Sequence, residues 1–448
     1  MRTMTLTQIS QILNCQQIYP SIAIQGYCVD SRFLKEGELF FALKGERVDG
    51  HLFLQEVQQK GALAAVVSKE YHGNSYGLYL FQVDDPLQAL QEIARIALSR
   101  STTRIVAITG SLGKTTTKEF INLLLSTQYR VVASPGNHNS QVGVPLAILN
   151  HSTGDEEIFV IEMGMTLPGH IARLVQIAPP EVAVVTTVAL VHACHFETIE
   201  EIAWTKGEIF SHPSTQLGVI HHDIVNYSAI CHASPSHKIS FSTTSSEADY
   251  FLDFSQNQPL LHAKIERLAI QLEQFPIPGK HNFHNLLAAI AVARHFHVSW
   301  EAINKGLSLM TLPERRLQFI HHRNILFLND SYNAAEMSVK AALESLPQPK
   351  GKGRKIAVLG SMMELGAFSH DCHQRVGEFS LEHVEHMYCL GEECYPIYEV
   401  WKEARRPVQL FQKRADLVAS LKDELRSSDV VLLKGSRSKE LWKVLEEF

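Results

Sequence analysis

At 448 residues, with 45% hydrophobic and 20% charged side chains, the chain has an ordinary globular composition and the length of about three domains. A formal net charge of −6 removes the electrostatic ground for nucleic-acid binding, and no run reaches the roughly 18 apolar residues of a membrane helix. The seven cysteines are scattered and form no CxxC pair, so neither a disulfide frame nor a thiolate zinc site is favoured. A polar start, MRTMTLTQISQIL, lacks a signal-peptide core, and a cytoplasmic protein is expected. The 23 histidines include no HExxH, and the pairs His221-His222 and His321-His322 face opposite sides of any strand; packing and surface roles are expected for most of them.

In chain order, GELFFALKGERVDGHLFLQEVQQKGALAAVVS predicts strand, loop, helix and strand, and LQALQEIARIAL a further helix ending at the polar joint 99–103. The middle of the chain carries short β-branched runs, RIVAITG, EIFVIEMG, EVAVVTTV and LGVI, several of them separated by helical stretches. That rhythm predicts a mostly parallel, doubly wound sheet covered on both faces. Beyond about residue 240 the runs alternate, then HNFHNLLAAIAVARHF reads as a helix, and Pro313 marks a helix stop and a boundary. KIAVLGSM, HMYCLG, VQLF and DVVLLKGS repeat the α/β rhythm, and glycine turns follow three of these strands at the end where open α/β sheets hold ligands. The expected class is α/β in three domains, 1–99, 100–313 and 314–448.

The stretch AITGSLGKTTTKEF (107–120) lies between an expected strand and an expected helix. Backbone N–H groups at such a turn face an anion, and the helix dipole adds to the attraction. Lys114 supplies a point charge for terminal phosphates, and the Thr115 hydroxyl suits Mg²⁺. The strict G-x-x-x-x-G-K-[ST] pattern fails, because its first glycine falls on Ile108. A plain glycine turn and a nucleotide loop both remain open on residue types alone.

The longer string Thr109-Gly110-x-x-Gly113-Lys114-Thr115-Thr116-Thr117 resembles the ATP loop of the Mur ligase superfamily, in which that first glycine is absent. Other stretches resemble the same family in the same order. GNHNSQVGVPLAIL (136–149) carries Asn137 and Asn139, and IEMGM places Glu162 at a strand end. His192 precedes FETIEEIAWTKGEIF, in which Lys206 takes a position that the family usually carbamylates. By residue type alone Lys206 reads as an exposed helix lysine. GKHNFHNLLAAIAVA (279–293) matches the adenine-side helix, with Asn282 and Asn285 three apart on one face; helix capping is the plainer reading of Asn282. PERRLQ supplies Arg316 at the hinge, and NDSYNA supplies Asp330, Tyr332 and Asn333. VDSR (29–32) and ALKGERVDGHLF (42–53) resemble nucleotide-sugar-binding segments and contribute Ser31, Arg32, Asp49, Gly50 and His51. EMGMTLPGHI, VLGSMMELG with a following His, and KGSRS point within the superfamily to the branch that adds D-alanyl-D-alanine. Thr187 and Ala189, Ser140, Ala335 with Glu336, and Ser361 depart from its usual residues.

The resemblance implies an N-terminal UDP-sugar-binding domain, a central phosphate-loop ATPase domain and a C-terminal Rossmann-like domain. It implies a cytoplasmic, monomeric ligase of peptidoglycan synthesis, taking UDP-N-acetylmuramoyl-tripeptide and D-Ala-D-Ala through an acyl phosphate. ATP contacts fall to Gly110, Ser111, Gly113, Lys114, Thr115, Thr116, Asn282, Asn285, Arg316 and Asp330. Metal contacts, for two Mg²⁺, fall to Thr115, Glu162, His192 and carbamylated Lys206, and catalysis to Lys114, Lys206 and His192. Ser31, Arg32, Asp49, Gly50, His51, Asn137, Asn139, Tyr332 and Asn333 fall to substrate. A folylpolyglutamate synthase-like ligase shares the loop but not the VDSR and DGH segments. A phosphate-loop kinase leaves the third α/β region without a purpose.

Overall fold

Residues 4–46, 48–255, 258–272 and 275–448 are described in a computed structural model; Arg47, inside the 42–53 segment, lies outside the described residues. Three sheets organise the described residues. The first is parallel throughout, in the order Gly26–Cys28, Glu38–Phe41, Ala64–Ser68, Tyr79–Val83. Helix Pro86–Ser99 closes this region. Its start follows from local chemistry: Asp85 accepts from the Leu87 and Gln88 N–H groups, and Pro86 occupies a position where no N–H is needed.

The central sheet has nine strands, with Arg104–Thr109 between Val182–Val185 and Ile158–Glu162. Alternation along Arg104–Thr109 separates two cores. Ile105 and Ala107 join a cluster that continues into the N-terminal domain, whereas Val106 and Ile108 pack on the face of helices Lys114–Leu125 and His281–His295. The helix Lys114–Leu125 buries Phe120, Ile121, Leu124 and Leu125, each worth about 1.5–3 kcal/mol. The alternating runs after residue 240 form the far edge of the sheet, where Tyr250–Asp253, Leu260–Ala263 and Leu268–Gln271 pair antiparallel.

The third sheet has six strands in the order Gln318–His322, Ile325–Asn329, Val430–Lys434, Lys355–Gly360, His386–Leu390, Val408–Phe411, antiparallel only at the first pair. Its cores are separate from those of the first two sheets. The expected three-domain α/β fold is therefore present. One local expectation fails: helix Trp300–Leu307 ends before Pro313. The Ser308 hydroxyl donates to the Lys305 carbonyl at 3.1 Å and so satisfies one carbonyl of the last turn.

Candidate active site

The C-terminal ends of the central strands open into a cleft of about 420 Å³, roofed by the third domain. Gly110 and Gly113, at φ +146° and +82°, carry the loop from strand to helix. Neither tolerates a side chain: a Cβ on Gly110 would sit 1.8 Å from Thr186 Oγ1, and one on Gly113 2.2 Å from Asn285 Oδ1. The Ser111 N–H donates to the Thr187 carbonyl at 2.7 Å, and the Ser111 hydroxyl to the Ala189 carbonyl at 2.8 Å. Thr187 and Ala189 thus serve through their backbones, which is why unusual side chains at these positions leave the loop intact.

Lys114 Nζ bonds back to the carbonyls of Gly110 at 2.8 Å and Ser111 at 3.2 Å, so its ammonium is held at the loop mouth. Burial pushes its pKa down, Glu162 pushes it up, and Arg316 pushes it down again. The Thr115 hydroxyl donates to Glu162 Oε2 at 2.8 Å, and Asn139 Nδ2 donates to Glu162 Oε1 at 2.6 Å. Glu162 is buried, its N–H bonded to the Ser134 hydroxyl at 3.2 Å. A hydroxyl and a buried carboxylate form a hard oxygen pair of the kind Mg²⁺ takes, the rest of its shell being water and phosphate. Among the described residues no group of three or more His, Cys, Asp or Glu stands together as a metal cluster.

Lys206, on helix Ile199–Gly207, is buried, which corrects its residue-type reading as a surface lysine. Its side chain has no hydrogen bond or ion pair among the described residues. Burial, and then Lys114, hold its amine well below the usual lysine range. His192 sits at φ +57°, and its ring shares a short hydrogen bond with Glu364 of the third domain.

On the other wall, Asn282 Nδ2 donates to the Pro278 carbonyl at 2.6 Å, Asn285 Nδ2 to Asn282 Oδ1 at 3.2 Å, and the Thr117 hydroxyl to Asn285 Oδ1 at 3.2 Å. Asn282 lies within helix His281–His295 and does not cap it; the residue before that helix, Lys280, makes no side-chain cap. Arg316 Nη2 donates to the Thr115 hydroxyl at 3.1 Å while its guanidinium lies 4.6 Å from the Tyr332 ring centre. Asp330 pairs with Lys434 at 2.5 Å and accepts from the Leu317 N–H at 3.2 Å.

The cleft gathers Ser111, Gly113, Lys114, Thr115, Thr116, Asn137, Asn139, Glu162, His192, Asn282, Asn285, Arg316, Asp330, Tyr332 and Asn333. Gly110 lies under it, its carbonyl accepting from Lys114 Nζ. Ser31, Arg32, Asp49, Gly50 and His51 stand apart, on loops that follow the adjacent strands Gly26–Cys28 and Glu38–Phe41. There Arg32 pairs with Asp30, and His51 bonds Asp49 and the Ser68 N–H.

Four side chains that line or brace the site escaped the sequence reading. Glu364 stood inside the quoted VLGSMMELG without a role, and Lys434 and Arg437 inside KGSRS. Lys118, fully buried, donates to the carbonyls of Ser134 at 2.5 Å and Gly136 at 3.0 Å and so fixes the loop that carries Asn137 and Asn139. His221, His281 and His284 line the cleft in addition to His192, a position the residue types did not single out.

Residues 108–293 match the Mur ligase middle domain, 315–437 the Mur ligase glutamate ligase domain, and 23–97 the catalytic domain of the Mur ligase family. The chain is 33% identical over 435 residues to the UDP-N-acetylmuramoyl-tripeptide–D-alanyl-D-alanine ligase of Bacillus subtilis, covering 96% of this chain and 94% of the relative. A crystal structure of MurF from Acinetobacter baumannii superposes with a TM-score of 0.87 at 28% identity, over 100% of this chain and 98% of that one. MurF ligase from Thermotoga maritima, in complex with ADP, superposes with a TM-score of 0.78 at 29% identity, over 94% and 96% of the two chains.

Proposed function

From the premise that the chain belongs to the Mur ligase family, we propose that it joins D-alanyl-D-alanine to UDP-N-acetylmuramoyl-tripeptide with ATP as the driving substrate, as the names of its relatives describe for them. The observation that carries this reading is the convergence in one cleft of the Lys114 loop, the Thr115–Glu162 pair and His192, with Glu364 of the third domain bonded to His192 and the buried amine of Lys206 near enough to Lys114 to feel its charge.

A carboxylate is a poor electrophile, so the peptide carboxylate of the donor first takes the terminal phosphoryl group of ATP. The amine of the dipeptide then attacks the acyl carbon and phosphate leaves. The first step brings anions together, and Lys114 is held where it offsets that charge. Thr115 and Glu162 would hold one Mg²⁺, and His192 with carbamylated Lys206 a second; when bound, these ions neutralise phosphate charge. Asn139 and Arg316 orient the Thr115–Glu162 pair from opposite sides. Asn282, Asn285 and Asp330 form the nucleotide wall, Asn137, Tyr332 and Asn333 the peptide side. The loops bearing Ser31, Arg32, Asp49, Gly50 and His51 receive the UDP-sugar. Closure of the third domain over the cleft keeps water from the acyl phosphate.

In this reading residues 1–99, 100–313 and 314–448 are the UDP-sugar, ATP and dipeptide domains of a cytoplasmic monomer. No helix among the described residues is long and apolar enough to cross a membrane. The test is phosphate release from ATP and Mg²⁺ with the UDP-linked tripeptide and D-Ala-D-Ala added singly and together. Release only with both, with a pentapeptide mass in the product, supports the assignment; release with neither, or with a folate and glutamate instead, removes it.

A further inference from the structure

Four lysine and arginine side chains line the cleft, and three of them are engaged. Lys114 bonds the carbonyls of its own loop, Arg316 bonds the Thr115 hydroxyl, and Lys434 pairs with Asp330. Arg437 is different. Among the described residues its guanidinium has no hydrogen bond and no carboxylate partner, only the face of Tyr332, 5.9 Å from the ring centre. The residue is exposed and opens the short 3₁₀ turn Arg437–Lys439 after strand Val430–Lys434, on the third-domain wall of the cleft.

The dipeptide is a zwitterion. Its amine must reach the acyl carbon at the Lys114 side, and its carboxylate then needs a cation further along the wall. An extended dipeptide spans about 7 Å. The Tyr332 ring contacts both guanidinium groups, with Arg316, itself bonded to Thr115, 4.6 Å from its centre and Arg437 5.9 Å from it. The same wall presents Ala334, Ala335 and Met337, small or apolar surfaces suited to two methyl side chains. An unpaired arginine is matched in shape to a carboxylate, which it binds through two parallel N–H donors.

We propose that Arg437 is the specificity-determining residue that receives the terminal carboxylate of the incoming D-alanyl dipeptide. This rests on the ligase reading above. The experiment measures phosphate release by wild type, Arg437→Ala and Arg437→Lys with D-Ala-D-Ala and with its C-terminal amide, with KM determined for each substrate. Loss of a charge-assisted hydrogen-bond pair predicts a KM for D-Ala-D-Ala raised about 10- to 100-fold in Arg437→Ala. The KM values for ATP and the UDP-linked tripeptide stay unchanged, and Arg437→Lys recovers part of the loss. Wild type discriminates against the amide, and Arg437→Ala treats acid and amide alike. If the ATP or tripeptide KM moves while the dipeptide KM stays, or if Arg437→Ala still rejects the amide, the inference is overturned and the ligase reading stands. Absence of turnover by wild type with either peptide overturns both.

Discussion

His192 and Glu364 share a hydrogen bond across the cleft although 172 residues separate them, one from the central domain and one from the third. Both are non-glycine residues in the left-handed region, at φ +57° and +64°. Two further contacts reinforce the pair. The Cys194 N–H donates to the Glu364 carbonyl at 3.1 Å, and Gly366 packs so closely that a Cβ there would lie 2.8 Å from Cys194 Cα. Such strain persists only where the surroundings hold it, and here the surroundings are two domains in contact.

Glu364→Ala therefore acts on closure and on His192 together. A carboxylate bonded to one ring nitrogen orients the other toward a metal, and loss of such a partner costs about 10- to 100-fold in metal affinity. Titration with Mn²⁺ by electron paramagnetic resonance should show a drop of that size, and solution scattering should show a more open average shape. Unchanged values in both would reduce the contact to domain packing.

Lys114 is pre-positioned by the Gly110 and Ser111 carbonyls. Lys114→Ala should lower phosphate release about 10²- to 10³-fold, the usual cost of removing one preorganised donor from developing charge. The substitution leaves the buried face of Phe120, Ile121 and Leu124 untouched, so thermal stability should change little. Near-full ligation by this variant would return the loop to a plain glycine turn.

Lys206 carries the prediction with the clearest pH sign. A cationic amine does not capture carbon dioxide; a neutral one does. Burial and Lys114 depress its pKa well below the usual lysine range, so the reactive form is present at pH values where a surface lysine is protonated. As pH falls through the depressed pKa, the amine protonates and carbamate is lost. Carbon-13 NMR with labelled bicarbonate should give a carbamate signal in wild type that fades on acidification and is missing in Lys206→Ala. The same variant should lose most ligase activity, with added bicarbonate failing to restore it. Wild-type activity in Lys206→Ala would assign the residue to packing.

Strand and helix periodicity located the three sheets because short β-branched runs and glycine turns are local signals, and local signals survive folding. The loop at Gly110–Thr115 was legible for the same reason. Long-range pairings were not. Nothing in MELG shows that Glu364 meets His192, and nothing near Lys434 shows that it will pair with Asp330, because both contacts depend on how the third domain docks. Burial of Lys206 was equally hidden, since TKGEI has the composition of a solvated helix end. The departures at Thr187 and Ala189 lose their force only once the structure shows that Ser111 uses their backbone carbonyls.

His284 supplies a stability prediction. Its ring lies 4.5 Å from that of His221, and its Nε2 shares a short hydrogen bond with the Thr243 hydroxyl. The nearest carboxylate to His221 is Asp223, 3.5 Å from Nε2. Burial first, then His221, push the pKa of His284 down to about 3, with Asp223 opposing and His281 adding to the fall. Its ordinary value is 6.5, so between these two values the unfolded chain binds a proton that the folded chain does not. Stability from this group is then full above about pH 6.5 and falls as pH drops toward 3, by at most about 1.4 kcal/mol per pH unit. His284→Gln, which cannot titrate, should reduce the decline of Tm between pH 7 and pH 5 relative to wild type, whatever its absolute Tm. Parallel declines in the two proteins would mean that His284 takes up its proton in the folded state as readily as in the unfolded one, and that the acid sensitivity resides in other groups.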